Sequence, residues 1–367
     1  MTFWKTSHLL TIAAVGALAL AGCGSDDNTT TPAAGGSASS AAIDCGTGTL
    51  NGEGSTAQKN AIDQVIQSGY QSQCSGATIN YNATGSGAGR KQFTGGQVDW
   101  AGSDAALKPE EATAAATRCM GNPAWNLPMV AGPIAIAYKL DGVSDLVLDA
   151  DVTAKIFQAQ ITSWDDPAIK ALNPNAKLPS TPIKVYFRTG DSGTTQNFTS
   201  YLNAAAPTVW TAKGAQSWAG KGEGREGSAG VAQAVAGASG GITYVEWSFA
   251  RDNKLDVAKV DNGSGAVELT GESAGKTIAT ASQVGTGNDL ALKIDYATKE
   301  AGAYPIVLVT YEIVCSKGLD ADKTKLLKSF LTYFSDPATQ TGLQDIGYAP
   351  LPTEVSTKVK TAIAAIS

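Results

Sequence analysis

The chain has 367 residues, 43% of them hydrophobic and 16% charged, with 27 basic against 33 acidic side chains and a formal net charge of −6. No cluster of Lys and Arg stands behind that acidic balance, which excludes a nucleic-acid backbone as partner. The single histidine, His8, lies in a segment expected to be removed. The mature chain then has no imidazole for Ser-His-Asp or Cys-His catalysis or for the usual catalytic zinc sites, so neither a catalytic residue, a metal nor a cofactor is expected.

At the amino terminus Lys5 precedes an apolar run from Leu9 to Leu20, followed by Ala21-Gly22-Cys23. A membrane span needs roughly 20 apolar residues, so residues 1–22 read as a signal peptide. Leu20-Ala21-Gly22-Cys23 resembles the bacterial lipobox, in which the Cys becomes the lipid-modified first residue. Lipidation would also dispose of Cys23 as an exposed, unpaired exported thiol. From Gly24 onward the chain is Ser, Thr, Ala, Gly, Asp and Pro, too polar to offset its own ordering entropy, and residues 23–43 read as a lipid-anchored flexible tether. Cys45, Cys74, Cys119 and Cys315 would then sit where disulfides persist. They allow three pairings, among which spacing cannot choose, and none has the Cys-x-x-Cys spacing of a zinc site.

The remaining ~325 residues exceed what one hydrophobic core usually organises. Ala77–Ala83 reads as a strand before a helix from about Gly87. Pro133–Tyr138 is a strongly apolar strand-like run, and Asp151–Gln160 follows as a helix. Ile183–Arg188 is a strand leading into a helix over Thr194–Leu202. Val231–Ala236 reads as a helix, Gly240–Glu246 as a buried strand, and Pro305–Val314 as a second apolar run. The alternation predicts α/β layers. Either apolar run could cross between two lobes, expected as residues 44–135 with 305–367 and residues 136–304. No repeat of solenoid period is visible.

Three Gly/Ser/Thr loops share one context, after a strand and before a helix: Gly52-Glu53-Gly54-Ser55-Thr56, Gly85-Ser86-Gly87-Ala88-Gly89 and Gly190-Asp191-Ser192-Gly193-Thr194. The first N–H groups of a helix lack internal partners and its dipole is positive there, so such loops suit an anion. Taken singly, each loop is more simply a set of helix caps. The Gly85 loop has the wrong spacing for a dinucleotide fingerprint. Gly190-Asp191-Ser192-Gly193 is like the tetrapeptide around a chymotrypsin-type nucleophile, but without a histidine Ser192 has no base.

The stretches Tyr81-Asn-Ala-Thr-Gly-Ser-Gly-Ala-Gly, Val98-Asp-Trp-Ala-Gly-Ser-Asp-Ala, Ile161-Thr-Ser-Trp-Asp-Asp-Pro and Arg188-Thr-Gly-Asp-Ser-Gly-Thr-Thr together resemble the PstS phosphate-binding proteins of high-affinity phosphate ABC transporters. The resemblance spans about Cys45 to Pro352. It implies a two-lobed periplasmic-binding-protein (type II) α/β fold, each lobe a mixed sheet flanked by helices, with phosphate in the interlobe cleft. It also implies a monomer that docks on permease subunits of the importer, outside the cytoplasmic membrane and anchored there through Cys23. The phosphate ligands it implies are Thr56, Ala57, Ser86 and Asp104 from one lobe and Arg188, Ser192, Gly193 and Thr194 from the other. The second group would close over an anion first met by the first. Two positions depart from the family. An acid often stands two residues after the Arg, whereas here that position is Gly190 and the acid is Asp191. Position 57 is Ala where some members have Phe, though a backbone N–H survives that change.

A separate physical consideration concerns Asp104. Phosphate at neutral pH keeps a proton and sulfate keeps none, so a buried carboxylate accepts a hydrogen bond from the first and repels the second. That mismatch costs on the order of 3 to 5 kcal/mol, by analogy with broken buried charge pairs. Binders of sulfate or molybdate are the nearest alternatives. A secreted phosphohydrolase lacks any candidate base or metal cluster. Trp100, Trp164 and Trp218 read as core or cleft wall.

Overall fold

Two unusually apolar runs organise the chain, because a strand buried on both faces reads as nearly continuous hydrophobic sequence. In the computed structural model, which describes residues 43–367, they are the two long strands of a nine-stranded mixed sheet. Its strands are β1 (Gly48–Gly54), β2 (Ala77–Ala83), β3 (Trp100–Ser103), β4 (Ala124–Lys139), β5 (Lys184–Arg188), β6 (Glu223–Arg225), β7 (Gly241–Glu246), β8 (Asp256–Val257) and β9 (Val307–Cys315). The order is β2-β1-β3-β9-β4-β7-β5-β6, with β8 beside β4. β1 is parallel to β2 and β3, and β5 is parallel to β6 and β7. Between these parallel groups β9 and β4 run antiparallel to each other and to β3 and β7. The expected signal peptide and Cys23, and the tether up to residue 42, lie outside the described residues.

β4 is the strand that crosses between lobes. Residues up to Pro133 pair with β9, whereas Ile134–Lys139 pair with β7. Prolines at 128 and 133 in a central strand would leave gaps in the ladder, since proline has no N–H to donate. The chain accommodates Pro128 with a bulge: Thr310 faces Val130 and Tyr311 faces Pro128, so Met129 is left over. The irregularity sits at Thr310, a residue that matters below.

Helices flank both parallel groups. They include α1 (Lys59–Asp63), continued by a π-helical stretch Gln64–Tyr70, α2 (Ser86–Thr94), α3 (Pro109–Arg118), α4 (Ala150–Phe157), α5 (Gly193–Ala205) and α6 (Gly227–Ala236). α6 begins four residues earlier than its sequence suggests, because Gly227 takes the left-handed turn (φ 67°) and Ser228 already lies inside the helix. One hydrophobic cluster gathers the far half of β4 with α4, α5, α6 and β7, around Phe157, Phe198 and Tyr244. The others gather β1, β3, β9 and the carboxy-terminal helices. Ala274, Ile278 and Leu290 pack into these latter clusters, although they fall within the 136–304 stretch. Trp100 and Trp164 are fully buried, and Trp218 stacks on Phe187 and Tyr244. Among the described residues no helix is long and apolar enough to cross a membrane.

The four cysteines form Cys45–Cys74 and Cys119–Cys315, closing 29 and 196 residues of sequence. The longer loop removes more unfolded-state freedom. Replacing Cys119 and Cys315 by Ala should therefore destabilise the protein about 1–2 kcal/mol more than replacing Cys45 and Cys74. Urea denaturation of the two double variants measures the difference, and equal midpoints at equal m-values would contradict it.

Candidate anion-binding site

Each of the three glycine-rich loops leaves the end of a parallel strand, where open α/β sheets gather ligands. The loop after β1 turns in because Ser55 N–H donates to Gly102 O (2.8 Å) and Tyr81 Oη holds Ser55 O (2.8 Å). The loop after β2 is tied to it by Gly85 N–H on Gly54 O (2.7 Å) and leads into the first turn of α2. From the other lobe, Ser192 caps α5, its Oγ accepting Thr195 N–H at 3.1 Å.

Asp104 lies at the centre and is buried. Its Oδ1 accepts from Ser55 Oγ (2.5 Å) and Thr310 Oγ1 (2.8 Å), and its Oδ2 from Ser86 Oγ (3.2 Å). Ser86 Oγ in turn accepts the Asp104 N–H at 3.1 Å. Burial raises the Asp104 pKa above the ordinary aspartate value, opposed by Ser55, Thr310, the Arg188 charge and Ser86. The carboxylate is held by neutral hydroxyls, and among the described residues no cation touches it.

Arg188 ends β5 and is also buried. Its Nη1 donates to Ser228 Oγ (3.2 Å), its N–H donates to Tyr244 Oη (3.2 Å), and its Nε has no protein partner. Burial lowers its pKa, opposed by Tyr244, Asp104 and Glu226. Tyr244 is pushed up to about 12, chiefly by burial, and its hydroxyl shares a 2.7 Å bond with Thr195 Oγ1. It is a neutral strut under the arginine. Asp191 does not orient Arg188: its carboxylate faces Ser217 Oγ (3.3 Å) at the surface, and its backbone O accepts Gly87 N–H (3.1 Å) from the opposite lobe.

The eight residues named from sequence occupy one region, with different engagements. Thr56 Oγ1 bonds Ser228 Oγ across the lobes (3.0 Å). Ala57 N–H is taken by Ser55 Oγ (3.1 Å). Thr194 Oγ1 is buried without a partner, as is Arg188 Nε. Gly193 comes so close that an added Cβ would lie 2.5 Å from Ser86 Oγ and 2.6 Å from Asp104 Cβ. Only glycine permits that approach.

Sequence reasoning missed Ser55, Thr310, Ser228 and Asn197. Asn197 Nδ2 donates to Asp104 O and Gly193 O, both at 2.8 Å, and its Oδ1 accepts from Tyr296 Oη. Ser228 stands in a Gly-Ser-Ala-Gly start resembling the other loops, and Thr310 is polar in the middle of an apolar strand. Both signals were present in the sequence.

A two-lobed α/β body with an oxyanion-type cleft at its junction is the architecture of the solute-binding proteins. A PBP superfamily domain matches residues 39–337. The chain is 47% identical over 362 residues to phosphate-binding protein PstS 3 of Mycobacterium tuberculosis, covering 97% of each. It is 44% identical over 375 residues to PstS2 of Mycobacterium bovis, covering 100% of each. The chain belongs to the PstS family of phosphate-binding proteins within the PBP superfamily. Its fold is similar to that of PfluDING, a periplasmic phosphate-binding protein solved with phosphate (TM-score 0.69, 22% identity, 86% of this chain and 93% of that one). It is also similar to that of a Clostridium perfringens transporter substrate-binding protein (TM-score 0.60, 18% identity, 83% and 100%).

Two further carboxyls lie beneath the site. Glu246 accepts Ser248 N–H on both oxygens (3.1 Å each), while Glu312, beside Gln58, has neither oxygen partnered. Burial raises both pKa values, and the Asp104 charge adds to each. A raised acid leaves the native state unpenalised below the ordinary carboxylate range, and that stability is lost as pH rises through the folded value. The unfolding free energy of the anion-free protein should therefore fall as pH climbs out of the acid range. Glu312→Gln should flatten the fall. Urea melts across the range from about pH 4 to 8 test this, and an unchanged slope in the variant would remove Glu312 from the account.

Proposed function

We propose that this chain is an extracytoplasmic solute-binding protein, lipid-anchored through Cys23, that captures inorganic phosphate in the interlobe cleft and delivers it to the permease of an ABC importer. It carries out no reaction of its own and works as a monomer. The single observation that carries the reading is Asp104. A buried carboxylate whose Oδ1 already takes two hydroxyl donors, and whose Oδ2 takes one, keeps acceptor capacity on Oδ2 for a protonated oxyanion. Hydrogen phosphate can supply that proton and sulfate cannot.

In this reading Thr56, Ala57 and Ser86 offer hydroxyl and backbone donors from the first lobe, the Ala57 N–H by exchanging Ser55 Oγ for the anion. Arg188, Ser192, Gly193 and Thr194 close from the second. Arg188 Nε and Thr194 Oγ1, both buried without protein partners, support such a role, because buried donors are ordinarily satisfied. Ser228 joins them as a further hydroxyl at the start of α6, next to Arg188. The two disulfides fit an oxidising compartment. Micromolar capture corresponds to about −8 kcal/mol, within reach of a preorganised set of this size.

Calorimetric titration of the mature protein, stripped of anion, with phosphate and separately with sulfate is the decisive measurement. Wild type should bind phosphate tightly and give no heat with sulfate. Asp104→Asn should lose that discrimination, because an amide accepts or donates and no longer repels the unprotonated anion. Silence toward phosphate in folded protein would overturn the reading.

A further inference from the structure

The lobes meet over the cleft through one fully buried cation that the site does not use. Arg90, one turn into α2, is 1% exposed. Its Nε pairs with Glu111 Oε2 (2.8 Å) and its Nη1 donates to Ser103 Oγ (2.9 Å), the residue before Asp104. Its Nη2 crosses to the opposite lobe and donates to Gln216 Oε1 at 2.8 Å. Gln216 is buried too, and its backbone O accepts Ser192 N–H (3.2 Å), the cap of α5. The next residue, Ser217, holds Asp191 of the same closing loop.

We propose that Arg90 and Gln216 form an interlobe latch: positioning residues that fix the affinity for phosphate and its residence time without touching it. The inference rests on phosphate capture as proposed above. Two of the three guanidinium bonds stay inside the first lobe, so Glu111 and Ser103 hold the fork ready whether or not the lobes have met. Only the bond to Gln216 depends on closure. It acts on the loop carrying Ser192, Gly193 and Thr194 through the Gln216 carbonyl. A preorganised, charge-assisted bond made only in the closed form shifts the open–closed balance directly.

The sequence around it supports a dedicated role. Arg90 is placed among Gly87, Ala88 and Gly89, small residues that let the loop reach the opposite lobe, and an added Cβ at Gly87 would strike Asp191. A long buried cation there has to be desolvated, which is costly unless every donor finds a partner. Among the described residues Gln216 is the only partner it takes from across the cleft.

Stopped-flow phosphate release from wild type, Gln216→Leu, Arg90→Met and the double variant tests the latch. Gln216→Leu should raise koff and Kd roughly ten- to a hundred-fold, the usual weight of one charge-assisted bond, with kon nearly unchanged. The phosphate-to-sulfate preference should stay at the wild-type value, since neither residue contacts the anion. Arg90→Met combined with Gln216→Leu should cost little more than either alone. Gln216→Glu, which restores an acceptor for Arg90, should release phosphate no faster than wild type. A wild-type koff in folded Gln216→Leu, or fully additive losses in the double variant, would overturn the latch. Single-molecule FRET across the cleft reads the closed fraction without any ligand, and it should drop in Gln216→Leu. Failure of wild type to bind phosphate would therefore count against phosphate capture, whereas an unchanged closed fraction and koff would count against the latch.

Discussion

The constraint on which the site depends is the burial of Asp104 without a cation. An ionised carboxyl in a dry interior is expensive unless its lone pairs are filled, and here Ser55 and Thr310 fill those of Oδ1 while Ser86 takes one on Oδ2 and leaves the other open. These hydroxyls come from the end of β1, the start of α2 and the part of β9 that faces the β4 bulge, three places that only the sheet order β2-β1-β3-β9-β4 brings together. The strand order, the β4 bulge beside Pro128 and the tight turns at Gly54 and Gly85 thus all serve one carboxylate. An Arg or Lys in contact would have held the charge more cheaply. It would also have used up the capacity that lets the carboxylate accept a proton-bearing oxygen, and it would have given sulfate a partner.

Charge in the cleft is divided between the lobes. Asp104 belongs to the lobe built around β1, β3 and β9, and Arg188 to the lobe built around β5 and β7. Each is supported by groups that do not ionise near neutrality: hydroxyls for Asp104, Tyr244 and Ser228 for Arg188. Burial raises the Asp104 pKa and lowers that of Arg188, so each charge depends on those neutral supports. Deeper still lie Glu246 and Glu312, whose pKa values burial also raises and whose protons lessen the negative charge below Asp104.

Much of this was legible in the sequence. The β2 strand falls on Ala77–Ala83 as read, and the loops at Ser55, Ser86 and Ser192 converge as their shared strand–loop–helix context implied. Two kinds of feature were not legible. Helix starts rich in glycine look like loops, so the apolar pattern starts this helix at Val231 and leaves Gly227-Ser228-Ala229-Gly230 outside it, whereas the helix begins at Gly227. Partners far apart in sequence leave no local trace either: Thr310 stands out as polar in an apolar strand, but nothing local shows that it reaches Asp104 across 206 positions. The disulfide partners were undetermined for the same reason, since spacing reports nothing about which strand ends meet. Nearness in sequence leaves open whether Asp191 bears on Arg188; the structure turns at Gly190 (φ 73°) and sets the Asp191 carboxylate on Ser217 instead.

In the proposed capture of phosphate, selection and retention fall to different parts of the molecule. All three donors that hold Asp104 lie in the first lobe, so its acceptor geometry needs nothing from the second lobe beyond the Asn197 bond to its backbone carbonyl. An anion can thus be tested for its proton at first contact, while the cleft is still open and rejection is fast. In that proposal closure then adds Arg188, Ser228 and the α5 amino terminus, donors that would attract any tetrahedral oxyanion and discriminate little among them. Were the order reversed, a sulfate ion would be enclosed by strong, unselective donors before the carboxylate could repel it. It would then leave only as fast as the lobes part. Placing the selective group on the lobe that binds first, and the strong general donors on the lobe that closes, allows tight capture and sharp discrimination in the same cleft.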